Sequence, residues 1–196
     1  MKLVVGLGNP GEKYKNNRHN AGFIIIDELA LKWNLPWEYN KKFDAEIARN
    51  DKVVLIKPQT FMNDSGEAVS RALQYFGIDS SGLTVVHDDI DLEALQFKVS
   101  CNSSSAGHRG VQNIIDGIGT QDFTRLRVGI GRPPQRTLQQ FEEVASGETG
   151  PRDENAVESA ITSSYVEKYV LQDFPSDQLE IVKKTGIEHL LSSLNL

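Results

Sequence analysis

His19 stands between Arg18 and Asn20 on a polar stretch directly ahead of an apolar run, a place where an imidazole can do chemistry. An imidazole with an ordinary pKa of about 6.5 takes a proton from water at neutral pH. It does so well when a carboxylate fixes its tautomer and stabilises the imidazolium. A source of carboxylates is His87-Asp88-Asp89-Ile90-Asp91, which follows the apolar run Leu83-Thr84-Val85-Val86. That segment admits three readings: a partner for the base, a Mg²⁺ site made by Asp88, Asp89 and Asp91, and a solvated acidic turn. A further polar segment, Lys57-Pro58-Gln59-Thr60-Phe61-Met62-Asn63, follows Val53–Ile56. Asn63 there can donate to a carbonyl or hold a water, or cap the helix after it.

Gly6-Leu-Gly8-Asn-Pro-Gly11 matches the G-x-G-x-x-G pattern of dinucleotide binding. That chemistry needs the third glycine to open a helix whose N-terminus meets a pyrophosphate. Glu12-Lys13-Tyr14-Lys15-Asn16-Asn17 offers no apolar helical face, and the acidic residues downstream, Asp27 and Glu28, fall inside a predicted helix. A nucleotide-dependent oxidoreductase is therefore a minor alternative. No G-x-S-x-G elbow occurs, which argues against a serine hydrolase. The single cysteine, Cys101, excludes an internal disulfide, suits a reducing cytoplasm and lacks any case as a nucleophile.

The net charge of −6 is unevenly spread: residues 1–136 carry +1 and residues 137–196 carry −7. The first part can still present a basic face, and the local field governs binding more than the total. Its cations include Lys98, Arg109, Arg125, Arg127, Arg132 and Arg136. Arg125 and Arg127 alternate with Leu126 and Val128, so both point to one face of a strand. Like charges on one face suit an anion, and phosphate is the natural partner for arginine.

The elements that must position these residues follow from hydrophobic period and turn chemistry. Strands are predicted at 2–6, 45–48, 53–56, 83–86, 97–99 and 126–130, and helices at 21–33, 65–76 and 109–118. Gly77 is placed to close the second helix. After Arg132-Pro133-Pro134, helices are predicted at 137–145, at 153–171 and from Asp177 to about Leu191, the last opened by a capping box with Glu180. This order implies an α/β fold, a single domain with a sheet flanked by helices and a helical C-terminal appendage. No apolar run approaches a membrane span. The chain enters a strand almost at once, so no secretory signal is expected ahead of it.

Six ordered blocks over residues 2–133 resemble bacterial-type peptidyl-tRNA hydrolase. They are Gly6–Gly11 with Tyr14, Arg18–Gly22, Lys57–Gly66, His87–Asp91, Gly107-His108 with Gly110, and Arg125–Pro133. The resemblance implies a monomeric, cytoplasmic esterase with a mixed, mostly parallel twisted sheet. Its substrate would be peptidyl-tRNA, cut between the peptide and the 3′ ribose, with no cofactor and no metal. By position it makes His19 the general base and Asp88 its partner. Asn9 and Asn63 would position substrate, water or the oxyanion; Tyr14, Phe61, His108 and Arg109 would line the substrate site, with His108 in a loop over the cleft. Lys98, Arg127 and Arg136 fall where the family grips tRNA phosphates. A non-catalytic RNA-binding relative of the same fold is the other alternative.

The chain departs from the family pattern in four places. Asn17 stands where threonine is usual, and Arg109 where asparagine is usual after Gly-His. Cys101–Ser105 replaces a glycine-rich loop. The Val-Leu pair that normally follows soon after Gly-x-Pro has its counterpart at Val170-Leu171, so residues of about 137–168 look like an acidic helical insertion.

Overall fold

Strands covered on both faces read as apolar runs without polar interruption. Leu3-Val4-Val5, Val53–Ile56 and Leu83, Val85 and Val86 are such runs and are almost wholly buried. In the computed structural model, which describes residues 1–133 and 164–195, they form the centre of a seven-stranded sheet. The strands are β1 (Lys2–Gly6), β2 (Glu38–Asn40), β3 (Ala45–Arg49), β4 (Val53–Pro58), β5 (Leu83–Asp89), β6 (Phe97–Cys101) and β7 (Thr124–Gly129), in the order β2-β3-β4-β1-β5-β7-β6. The four strands β4, β1, β5 and β7 run parallel to one another. β2, β3 and β6 are antiparallel to their neighbours. The sheet is therefore mixed and mostly parallel, as expected.

The helices are α1 (Ala21–Lys32), α2 (Ser65–Phe76), α3 (Arg109–Ile118), α4 (164–170) and α5 (Ser176–Leu194). Alternate residues of each strand serve opposite faces. Val4, Leu55 and Val86 pack with Ile25 and Leu29 of α1 and Val182 and Leu190 of α5. Leu3, Val5, Ile56 and Val85 pack with Val69 and Leu73 of α2 and Val111 and Ile114 of α3. Among the described residues no helix is long and apolar enough to cross a membrane.

Two differences from the sequence expectation bear on the site. β5 does not stop at Val86 but continues through His87, Asp88 and Asp89, all buried. The solvated-turn reading fails there because hydrogen bonds and ion pairs hold these polar residues inside. β2 went unpredicted, because Glu38-Tyr39-Asn40 is an exposed edge strand with no apolar alternation. The expected helix at 137–145, the first part of that at 153–171, and Arg136 lie outside the described residues, as does the expected insertion up to residue 163.

The junction of β1 and α1 is tight. Leu7 N–H donates to Val86 O at 2.9 Å, and Phe23 N–H donates to Leu7 O. A Cβ on Gly22 would lie 2.3 Å from both Leu7 N and Val86 O, so only glycine lets α1 approach this closely. The approach sets the turn Arg18–Asn20 over the carboxyl ends of β1 and β5, the region where open α/β sheets keep their ligands. The glycine pattern is thus spent on packing. Gly8 lies against the Phe23 ring, and Gly11 leads into a single 3₁₀ turn, Glu12–Tyr14, rather than a helix that could hold a pyrophosphate.

Candidate active site

Two of the four histidines meet at one carboxylate, and a third packs beside them. His19, on the turn ahead of α1, has Nδ1 2.9 Å from Asp88 Oδ1. His108 has Nε2 3.1 Å from the same oxygen. His108 is the N-cap of α3: its Nδ1 accepts from Val111 N–H at 3.2 Å. With Nδ1 accepting, the proton of His108 sits on Nε2 and is donated to Asp88. The carboxylate likewise takes the Nδ1 proton of His19, which leaves the lone pair on Nε2. His108 ends the loop ahead of α3 and lines the cleft. The left-handed pair Ala106 and Gly107 turns the chain so that His108 caps α3 and its ring sits beside Asp88.

His87 completes the cluster from below. It is fully buried, its Nδ1 donates to Asp88 O at 2.7 Å, and its ring meets that of His108 edge-on with centroids 4.8 Å apart. Its Nε2 has no partner. Burial holds its pKa down to about 3, so it is neutral. For Asp88, burial alone would push the carboxyl up, but the two imidazoles beside it pull it well below the usual carboxylate range. For His19, burial disfavours the cation, and Asp88, by charge and hydrogen bond, more than offsets this and raises the pKa. A weak base strengthened by a buried anion is the arrangement that general-base catalysis needs.

A cavity of about 450 Å³ opens above His19 and Asp88. Asn9, Tyr14, Phe61, Asn63, His108 and Arg109 all line it, so the structure brings together the residues expected around the ester, while Lys98 and Arg127 lie outside this cavity. Asn9 Oδ1 accepts from Met62 N–H at 3.1 Å, which ties the β1 loop to the loop after β4 and leaves its Nδ2 hydrogens for the cavity. Asn63 does not cap α2; its side chain makes only a long contact to Asp64. Phe61 is 61 % exposed at the rim.

Sequence reasoning missed three contributors. Asn20 is buried and clamps Asn9 twice: its Oδ1 accepts from Asn9 N–H and its Nδ2 donates to Asn9 O. The sequence shows only an asparagine directly ahead of an apolar helix; its burial and its two bonds to Asn9 appear in the structure. His87 was seen only as part of an acidic segment. Val166, Glu167, Val170 and Leu171 wall the cavity from α4 and its end. Backbone bonds from Arg18 to Gln172 and from Phe174 to Asn16, with the Tyr169 hydroxyl on Ile130 O, hold that wall beside the His19 turn.

The basic residues divide. Arg125 is 1 % exposed, and its guanidinium donates to the carbonyls of Ser103 and Ser104, so it pins the loop before α3 rather than joining a phosphate-facing surface. Arg127 is partly exposed and pairs with Asp89 at 2.6 Å. Lys98 is exposed and lies opposite Arg127 across β6 and β7. His19, Asp88 and His108 are the one group among the described residues that could ligate a metal. Their separations are those of hydrogen bonds, and both nitrogens at Asp88 carry protons. Asp89 and Asp91 are engaged instead by Arg127 and Arg132.

A family model described as peptidyl-tRNA hydrolase matches residues 3–163. Among solved structures, peptidyl-tRNA hydrolase from Acinetobacter baumannii is 29 % identical, with a TM-score of 0.78, covering 100 % of this chain and 87 % of that one. A point mutant of the enzyme from the same organism is 31 % identical, with a TM-score of 0.76, covering 98 % of this chain and 85 % of that one.

Proposed function

The chain belongs to the peptidyl-tRNA hydrolase family and hydrolyses peptidyl-tRNA, and from that premise we propose that His19 is the general base of the reaction. The hydrogen bond from His19 to buried Asp88, at the floor of the cavity, carries this reading. Nε2 of His19 takes a proton from water as the water oxygen attacks the ester carbonyl carbon. Asp88 stabilises the imidazolium and keeps the ring in the tautomer that leaves Nε2 free. Asn9 and Asn63 donate amide hydrogens to the attacking water or to the oxyanion. The intermediate then expels the 3′ oxygen of the tRNA, which leaves with the proton from His19. General-base assistance of this kind contributes about 10²–10⁴-fold.

Tyr14 and Phe61 flank the ester, and the α4 wall of Val166, Val170 and Leu171 takes peptide side chains. Lys98, Arg127 and Arg136 hold tRNA phosphates. Exposed Lys98 opposite the partly exposed Arg127 favours this, because the two place cationic donors side by side at the surface, where a phosphate can reach them. His108 acts through Asp88 and is a positioning residue, and Arg109 is placed at the mouth. The chain works as one domain, a monomer in the cytoplasm, without cofactor or metal.

The test is release of the acyl group from an N-blocked aminoacyl-tRNA. Wild type should release it at a rate that His19→Ala reduces by at least about 10²-fold with its thermal transition unchanged. A wild-type protein that binds the tRNA and releases nothing overturns the reading.

A further inference from the structure

Arg109 is awkwardly placed in the free protein. It opens α3, where the helix dipole is positive and a cation is disfavoured. It follows His108 and shares the cavity with His19, whose imidazolium its charge opposes. Among the described residues its ion-pair partner is Glu167 of α4, 3.9 Å away, with both side chains more than half exposed. Such a pair contributes little. Each of these costs disappears when an anion docks against the guanidinium.

The proposed substrate supplies one anion at the right place. The phosphate joining the last two nucleotides of the tRNA lies a few bonds from the ester that His19 and Asn9 surround. The peptide backbone near that ester is neutral, and an acidic side chain there would vary from one peptide to the next, whereas the phosphate is always present. Guanidinium matches phosphate with two parallel N–H donors, which an asparagine amide cannot do. We propose that Arg109 is a specificity residue that exchanges Glu167 for the last internucleotide phosphate of the tRNA when the ester enters the cavity. This rests on reading the cavity as the seat of the peptidyl ester. It gives the chain a charged grip on the RNA end beside the reacting bond, separate from the Lys98 and Arg127 pair on β6 and β7.

The experiment uses N-blocked aminoacyl-tRNA in two forms, one native and one whose last internucleotide phosphate is an uncharged methylphosphonate. The quantity read is the ratio of kcat/KM for native over methylphosphonate substrate. Arg109→Gln should reduce that ratio about tenfold, the lower end for a lost hydrogen bond to a charged group. Arg109→Lys should keep part of it, and Glu167→Gln should raise it by freeing the guanidinium. A ratio equal in wild type and Arg109→Gln overturns the proposal and leaves the catalytic reading intact. A wild-type protein inactive on the native substrate overturns the catalytic reading itself.

Discussion

Replacing Asp88 by Asn isolates the charge on which the proposed base depends. The amide has the shape of the carboxylate, and its oxygen can still accept from His19 and His108, because both approach the single atom Oδ1 at 2.9 and 3.1 Å. Tautomers and ring positions are therefore kept, and what is lost is one buried negative charge. Two unit charges about 4 Å apart at an effective dielectric of about 20 interact by about 4 kcal/mol. At 1.36 kcal/mol per factor of ten, the loss is about 10³-fold in kcat. The pH profile gives a second signature. Asp88 raises the His19 pKa, and the base works unprotonated, so kcat/KM rises with pH through that value. Removing the charge lowers the pKa, so the rising limb moves to lower pH while the plateau falls. The assay is acyl release from N-blocked aminoacyl-tRNA between pH 5 and 9. A variant within about tenfold of wild type, or a limb displaced to higher pH, would refute the reasoning.

Other outcomes follow from the same geometry. His108→Asn keeps an N-cap residue on α3 but cannot reach Asp88; thermal melting should shift little, while kcat falls about tenfold for one lost bond to a charged group. His87 is neutral in the fold with a pKa of about 3, so the unfolded chain binds its proton more readily. Its contribution is present above the unfolded value near 6.5 and is lost as pH falls from there toward 3, by up to about 1.36 kcal/mol per pH unit. Urea midpoints across that window should fall less steeply in His87→Asn than in wild type. Lys98→Ala should weaken tRNA binding and lower the slope of log affinity against log salt by about 0.7–0.9 without changing the melting temperature; an unchanged slope would remove Lys98 from the phosphate contacts.

The central strands were legible because a parallel sheet buries both faces and writes itself as uninterrupted Val, Leu and Ile. α2 was legible because Gly77 closes it, and α3 because Val111, Ile114 and Ile115 fall on one helical face. β2 was not, since Glu38-Tyr39-Asn40 carries no apolar face. The end of β5 was misread because His87-Asp88-Asp89 looks like a turn until the histidines and Arg127 that bury it are in place. Arg125 was misassigned because strand alternation gives a side chain's face but not its partners, here the carbonyls of the 103–104 loop. The His19–Asp88 pair was reached through motif resemblance; spacing alone left Asp88 among three readings. The α4 wall had no local signal, because Val166 and Val170 become site residues only through docking of 169–174 on the His19 turn.

Turnover of His19→Ala on N-blocked aminoacyl-tRNA, with and without added imidazole, is the sharpest test of the proposed base. The account predicts a loss of at least about 10²-fold, partly restored by free imidazole entering the space beside Asp88 and taking the proton from water. Activity close to wild type in the variant would contradict it, because the water would then be deprotonated by some other group.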